Sequence, residues 1–171
     1  MKGIKKKILI ENNLQCYFFE NLGRLNKAVE NSLPEETIFY SSQVLNAMAV
    51  SSNFFETLDN GEIREKMLGI KLLESFQLSK IEQKYELKDI GDTSLCLCGV
   101  FRENLSQKMV DRKYYIKLGR MAYLKLNTLE PNFLGISGFY SDLSGQFETL
   151  VNILELFTRD FFKNAQHILP E

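Results

Sequence analysis

Between Ile136 and Phe161 the apolar residues Ile136, Tyr140, Leu143, Phe147, Leu150, Leu154, Phe157 and Phe161 recur at alternating steps of four and three. A strand would repeat every second residue, whereas a helix of about 3.6 residues per turn gathers these positions onto one stripe. The spacing is nearly heptad, so the seam can serve both a core and a partner helix. Pro131 reads as the first-turn residue of this long C-terminal helix. Gly135, Gly138 and Gly145 each weaken a helix interior by roughly 1 kcal/mol relative to Ala. Either close packing keeps the helix whole through them, or it breaks near Ser141-Asp142.

The same period runs through the rest of the chain. Leu14, Phe18, Leu22, Leu25 and Val29 form a first stripe, with Asn12 or Asn13 available as N-cap. Leu33-Pro34-Glu35-Glu36 restarts a helix that Ile38, Val44, Leu45 and Met48 carry to about Val50, since Pro and carboxylates suit a first turn. Ser51 to Gly61, with Leu58-Asp59-Asn60-Gly61, is a turn region between two helical layers. Glu62 to Phe76 is expected to be helical through Ile63, Met67, Ile70, Leu73 and Phe76. Ser79-Lys80-Ile81-Glu82 matches a capping box, and the helix it opens runs into Gly91-Asp92-Thr93-Ser94 and the uncharged stretch Leu95 to Phe101. A helix that is apolar all round is buried on several sides, so this stretch belongs at the centre; a buried strand is the competing reading. Asp111 is the expected N-cap of a further helix, with Val110 and Tyr115 as its staple and Tyr115, Leu118, Gly119, Ala122 and Leu126 as its inner stripe.

The sum is an all-α fold, a single compact bundle of about six helices over residues 12–163, with a basic extension at 1–11 and a tail at 164–171. A length of 171 residues, of which 44% are hydrophobic, suits one core. The basic run at Lys5 to Lys7 is followed by too short an apolar stretch for a signal peptide, and no window is long and apolar enough for a membrane span. Cys16, Cys96 and Cys98 are odd in number and lie in apolar runs, which suits buried reduced thiols and a cytoplasmic location.

Composition narrows the chemistry. A single histidine, His167, leaves little room for a His-based triad or a bundle di-iron site, and no phosphate loop, dinucleotide motif or zincin motif occurs. Cys96 and Cys98 diverge by roughly 200 degrees on a helix, so packing is a better reading of them than a metal site. The sequence therefore calls for no cofactor, no metal and no catalytic residue. Asp92, Thr93 and Ser94 are polar groups beside a wholly apolar run. They either line a small-molecule pocket together with Tyr114 or Tyr115, or are satisfied structurally. In the second case Thr93 and Ser94 bond back to helix carbonyls, and Asp92 meets Lys88, Arg120 or a tyrosine hydroxyl.

Charge is uneven along the chain although the whole carries only −1. Residues 102–125 hold seven basic side chains against two acids, and residues 130–171 hold six acids against two basic ones. Lys113, Lys117 and Arg120 make a basic face that could receive a protein partner or a second copy, or simply balance the acidic helix. Nucleic acid is disfavoured by the neutral whole and the absence of a reader motif.

Three stretches also carry a likeness: Leu14-Gln15-Cys16-Tyr17-Phe18-Phe19; Glu36-Thr37-Ile38-Phe39-Tyr40; and Gly91-Asp92-Thr93-Ser94-Leu95 through Gly99-Val100-Phe101 and Val110-Asp111-Arg112-Lys113-Tyr114-Tyr115 to Gly119 and Ala122-Tyr123. Together they resemble a family of helical bacterial proteins with a GD-x-SL, G-x-F, VD-x-x-YY, G-x-x-AY signature, to which no activity is attached. The resemblance implies a helical fold and supplies no catalytic residue. Ser41-Ser42-Gln43 departs from it, standing where apolar residues are expected. The expected function is a non-catalytic interaction module that binds itself or another protein, with small-molecule or cofactor binding near Asp92, Tyr114 and Tyr115 as the alternative.

Overall fold

The computed structural model describes residues 2–49, 51–102 and 111–166. Among them are seven α-helices: α1 (Lys2–Ala28), α2 (Glu35–Met48), α3 (Leu68–Ser75), α4 (Lys80–Gly99), α5 (Arg112–Leu129), α6 (Phe139–Gly145) and α7 (Phe147–Gln166). Two antiparallel hairpins join them, β1 (Phe55–Thr57) with β2 (Ile63–Glu65) and β3 (Asn132–Phe133) with β4 (Ile136–Ser137). The fold is a helical bundle, as the periodicity predicts.

Helix α4 is its hub: α5, α7, α3 and α2 all pack against it, while α1 covers α2 and α7. Its start is fixed by the expected capping box, in which Ser79 Oγ accepts from the Glu82 N–H and Glu82 Oε2 accepts from the Ser79 N–H. Its far half is the uncharged stretch, with Leu95, Cys96 and Cys98 fully buried. The helix ends at Gly99, and Phe101 lies beyond it, partly exposed. Close approach explains two of its neighbours' requirements. A Cβ on Gly91 would overlap the Tyr123 ring, and one on Gly119 of α5 would sit 2.5 Å from Phe147 and 2.9 Å from the Ser94 Cβ. Helices α4, α5 and α7 thus meet at a distance that only hydrogen-sized side chains permit.

Several expectations need correction. Helix α1 is already running at Asn12 and Asn13, having begun at Lys2, because the basic and aliphatic residues from Ile4 to Ile10 are adequate helix formers and Gly3 falls in the first turn. Cys16 is exposed rather than buried. Glu62 to Phe76 is not one helix: the Asp59-Asn60-Gly61 turn, with Gly61 at φ +82, folds β2 back on β1, and the helix starts only at Leu68. Pro131 likewise opens a hairpin, not a helix. Leu134 and Gly135 both have positive φ, as a two-residue hairpin turn demands, and Gly138 is left-handed before α6. The last seam breaks at Gln146, five residues beyond Ser141, yet Tyr140, Leu143, Phe147, Leu150, Leu154 and Phe157 stay buried across the break. Val110 and residues 167–171 lie outside the described residues.

The departure at Ser41-Ser42 is resolved by hydrogen bonding. Both serines are buried and donate to carbonyls of their own helix, Ser41 to Thr37 and Ser42 to Phe39, so α2 packs through small, self-satisfied polar residues.

Candidate functional site

Asp92 is 6% exposed, and its carboxylate is occupied on both oxygens. Oδ1 accepts from the Tyr40 hydroxyl at 2.7 Å and the Tyr123 hydroxyl at 2.8 Å, while Oδ2 receives Lys88 Nζ at 2.5 Å. One side chain of α4 thereby ties down α2 and α5, and Lys88 also lies 5.0 Å above the Tyr40 ring. Around them Phe133, Phe139 and Tyr140 pack edge-on or tilted to Tyr40, brought there by the second hairpin and α6. Burial, then the Asp92 charge, pushes the Tyr40 and Tyr123 hydroxyls well above their ordinary pKa, and Tyr140 is pushed up to about 12 for the same reasons.

The structure does not gather the other expected ligand residues around this carboxylate. The α5 tyrosine that meets Asp92 is Tyr123, two turns beyond Tyr115. Tyr114 instead places its hydroxyl against Gly69 of α3, and Tyr115 packs edge-on to Tyr114 at the margin of the core. Thr93 and Ser94 are buried, but neither bonds back to a carbonyl; their hydroxyls have no hydrogen-bond partner among the described residues. Ser94 is placed by size, since its Cβ faces Gly119. Cys96 and Cys98 are buried free thiols, both pushed up by burial, Cys98 to about 12. Such thiols are poor nucleophiles at neutral pH.

The basic segment divides into two parts. Arg112 and Arg102 both meet Glu155 of α7, at 2.5 and 3.5 Å, and Arg120 meets Glu148 at 3.5 Å. These pairs neutralise part of the acidic last helix internally. Lys113, Lys117 and Lys125 are exposed and make no ion pair among the described residues.

Those lysines share the outer face of α5 with Tyr114, Met121 and Leu124, all exposed. Helix α3 lies alongside, its start at Tyr114 through Gly69 and its end beneath Lys125, whose Nζ is 5.4 Å from the Phe76 ring. In α3 the core takes Leu68, Leu72 and Ser75. The stripe expected to face inward, Met67, Ile70, Leu73 and Phe76, faces out, with Leu73 69% and Phe76 54% exposed. Leu68 and Leu72 compete with that stripe, and a helix of eight residues cannot bury both. The signal missed was that α3 is apolar around most of its circumference, with only Lys71 and Glu74 charged.

A second apolar feature lies between α1, α2, α4 and α7. Phe18 of α1, Met48 of α2, Cys96 of α4, and Phe157, Phe161 and Phe162 of α7 line a cleft of about 270 Å³. Its one lining hydroxyl outside tyrosine, on Thr158, donates to the Leu154 carbonyl.

No family model, no curated protein and no solved structure matches the chain. No helix among the described residues is long and apolar enough to cross a membrane, and no group of three or more His, Cys, Asp or Glu side chains among them could hold a metal ion.

Proposed function

We propose that the chain is a non-catalytic helical module of the bacterial cytoplasm that binds another protein through the joint outer face of α3 and α5. The carrying observation is that α3 turns an apolar side to solvent as well as one to the core. Exposed apolar residues are ordinary singly, but a contiguous set spanning two helices marks an interaction surface. Tyrosine, phenylalanine and methionine, which interfaces favour, make up much of it. The buried, unpaired thiols of Cys96 and Cys98 suit a reducing compartment.

Native mass spectrometry of the protein isolated from its own cell type, compared with a Leu73→Asp/Met121→Asp variant, tests this. The expected result is a stoichiometric complex for the natural chain and a bare monomer for the variant, at unchanged melting temperature. A complex that survives both substitutions, or a natural chain that is monomeric and unaccompanied at high micromolar concentration, overturns it.

A second reading is favoured by the cleft at Phe18 and Phe157, whose lining offers an apolar molecule contact and a polar one almost nothing. Cavities of about 150 Å³ already take benzene when dry and apolar. In that reading the natural chain carries a stoichiometric small mass that an Ala49→Phe variant lacks; equal small mass on both, or none on either, removes it.

A further inference from the structure

Resting on the proposed α3–α5 interaction face, we infer the chemistry of its occupant: an amphipathic helix whose apolar stripe is bordered by acidic side chains. Shape is the first ground. Two helices lying side by side present a joint outer face, to which α3 contributes the exposed Ile70 and Leu73 and α5 the exposed Met121 and Leu124. Each helix presents a pair spaced by three residues, about one turn, which matches the i, i+3, i+4 anchors of a helix laid against an apolar face.

Charge is the second ground. All three arginines of the basic segment are engaged with Glu148 or Glu155. Lys113, Lys117 and Lys125 have no such partner among the described residues, and they stand on the same outer side of α5 as Met121 and Leu124. The only acid on α3 is Glu74. A second copy of the chain offers a poorer match, because the acids of its last helix facing the basic segment are already paired. A polyanion would leave Ile70, Leu73 and Met121 without apolar contact, and the whole chain carries −1. Carboxylates beside an apolar stripe complement both features at once, and their attraction to the lysines steers the approach.

The test uses labelled synthetic helical peptides of about five turns, all with leucines at i, i+3, i+4 and i+7 and with glutamate, lysine or glutamine at the remaining positions. Fluorescence anisotropy is read on the full chain, with anionic phosphatidylserine vesicles as a further probe. The glutamate peptide should bind saturably, weaken as salt rises, and lose about tenfold in affinity on Lys113→Glu/Lys117→Glu/Lys125→Glu. That variant should acquire the lysine peptide in exchange. Lys117→Glu alone, with a smaller loss, serves if the triple variant does not fold. Equal binding of all three peptides, abolished by Leu73→Asp but not by charge reversal, overturns the acidic partner and leaves the interaction face standing. Binding of vesicles in preference to every peptide assigns the face to a membrane and overturns both statements. No binding of any peptide overturns the inference, and the isolated complex described above then decides whether the face itself is used.

Discussion

Asp92 shows how one buried carboxylate can organise three helices. Its two oxygens hold Tyr40, Tyr123 and Lys88, so both are engaged in cross-linking α2, α4 and α5. Asp92→Asn keeps one acceptor oxygen but loses the charge that Lys88 faces and sets an amide N–H₂ in a site built for donors from outside. Breaking a buried charged hydrogen bond costs about 1–3 kcal/mol, and a chain of this length loses roughly 2–4 °C of melting temperature per kcal/mol. The melting temperature of Asp92→Asn should fall by several degrees, with partner binding through α3 and α5 retained at low temperature. A variant that melts like the natural chain would show that the cluster contributes nothing net. Sequence reading placed Lys88, Arg120 and a tyrosine hydroxyl among the candidate partners, and put Tyr114 or Tyr115 beside Asp92 only as the wall of a ligand pocket. Their position in the chain does not distinguish them from Tyr123; only the rotation of α5 against α4 does.

At the scale of elements, the bundle is set by where helices can approach. Gly119 lets Phe147 and Ser94 close over α5, and an added methyl there must displace an aromatic ring or the backbone. Gly119→Ala should therefore destabilise by about 1–3 kcal/mol. Gly145, the last residue of α6, has nothing near the position of its missing Cβ. Gly145→Ala should be neutral or should stabilise by up to about 1 kcal/mol, through lost freedom of the unfolded chain. Chemical denaturation of the two variants gives both signs, and equal effects would contradict the packing described. Helix existence was readable at this scale because long 3.6-residue periods are redundant: losing one position leaves the stripe intact. The hairpins were not, since strands of two or three residues contain too few alternations to register against that background. Their turns carried the only trace, at Asp59-Asn60-Gly61 and at Gly135.

For the whole molecule, the tyrosines predict how stability depends on pH. Tyr40 and Tyr123 are raised by burial first and by Asp92 second, and Tyr140 is raised to about 12. The folded state then holds these protons more tightly than the unfolded chain, where tyrosine ionises near about 10. Their contribution is complete below that value and is lost as pH rises from it toward the folded pKa values. The thiols of Cys96 and Cys98, also raised by burial, add a loss that begins at about 8.5. Melting temperature should therefore be level from neutral pH only to about 8 and should decline beyond it, more steeply above about 10 and there less steeply in Tyr140→Phe. A melting temperature that holds level across the alkaline range would sink this account.

The amino-acid order by itself determined the helical class, the capped starts at Ser79 and Asp111, and the burial of the uncharged end of α4. These follow from local periods and from side chains that bond within four residues of themselves. The tertiary structure alone decided that α3 turns Leu68 and Leu72 inward and leaves Ile70, Leu73 and Phe76 outside. An eight-residue helix with two apolar sides offers the core either one, and which side wins depends on the surface it meets. Here that surface is α4, the next helix in the chain, together with Tyr114 of α5, which comes long after α3. The same holds for charge. The sequence shows an excess of basic residues over 102–125, but packing against α7 engages Arg102, Arg112 and Arg120 and leaves Lys113, Lys117 and Lys125 facing solvent.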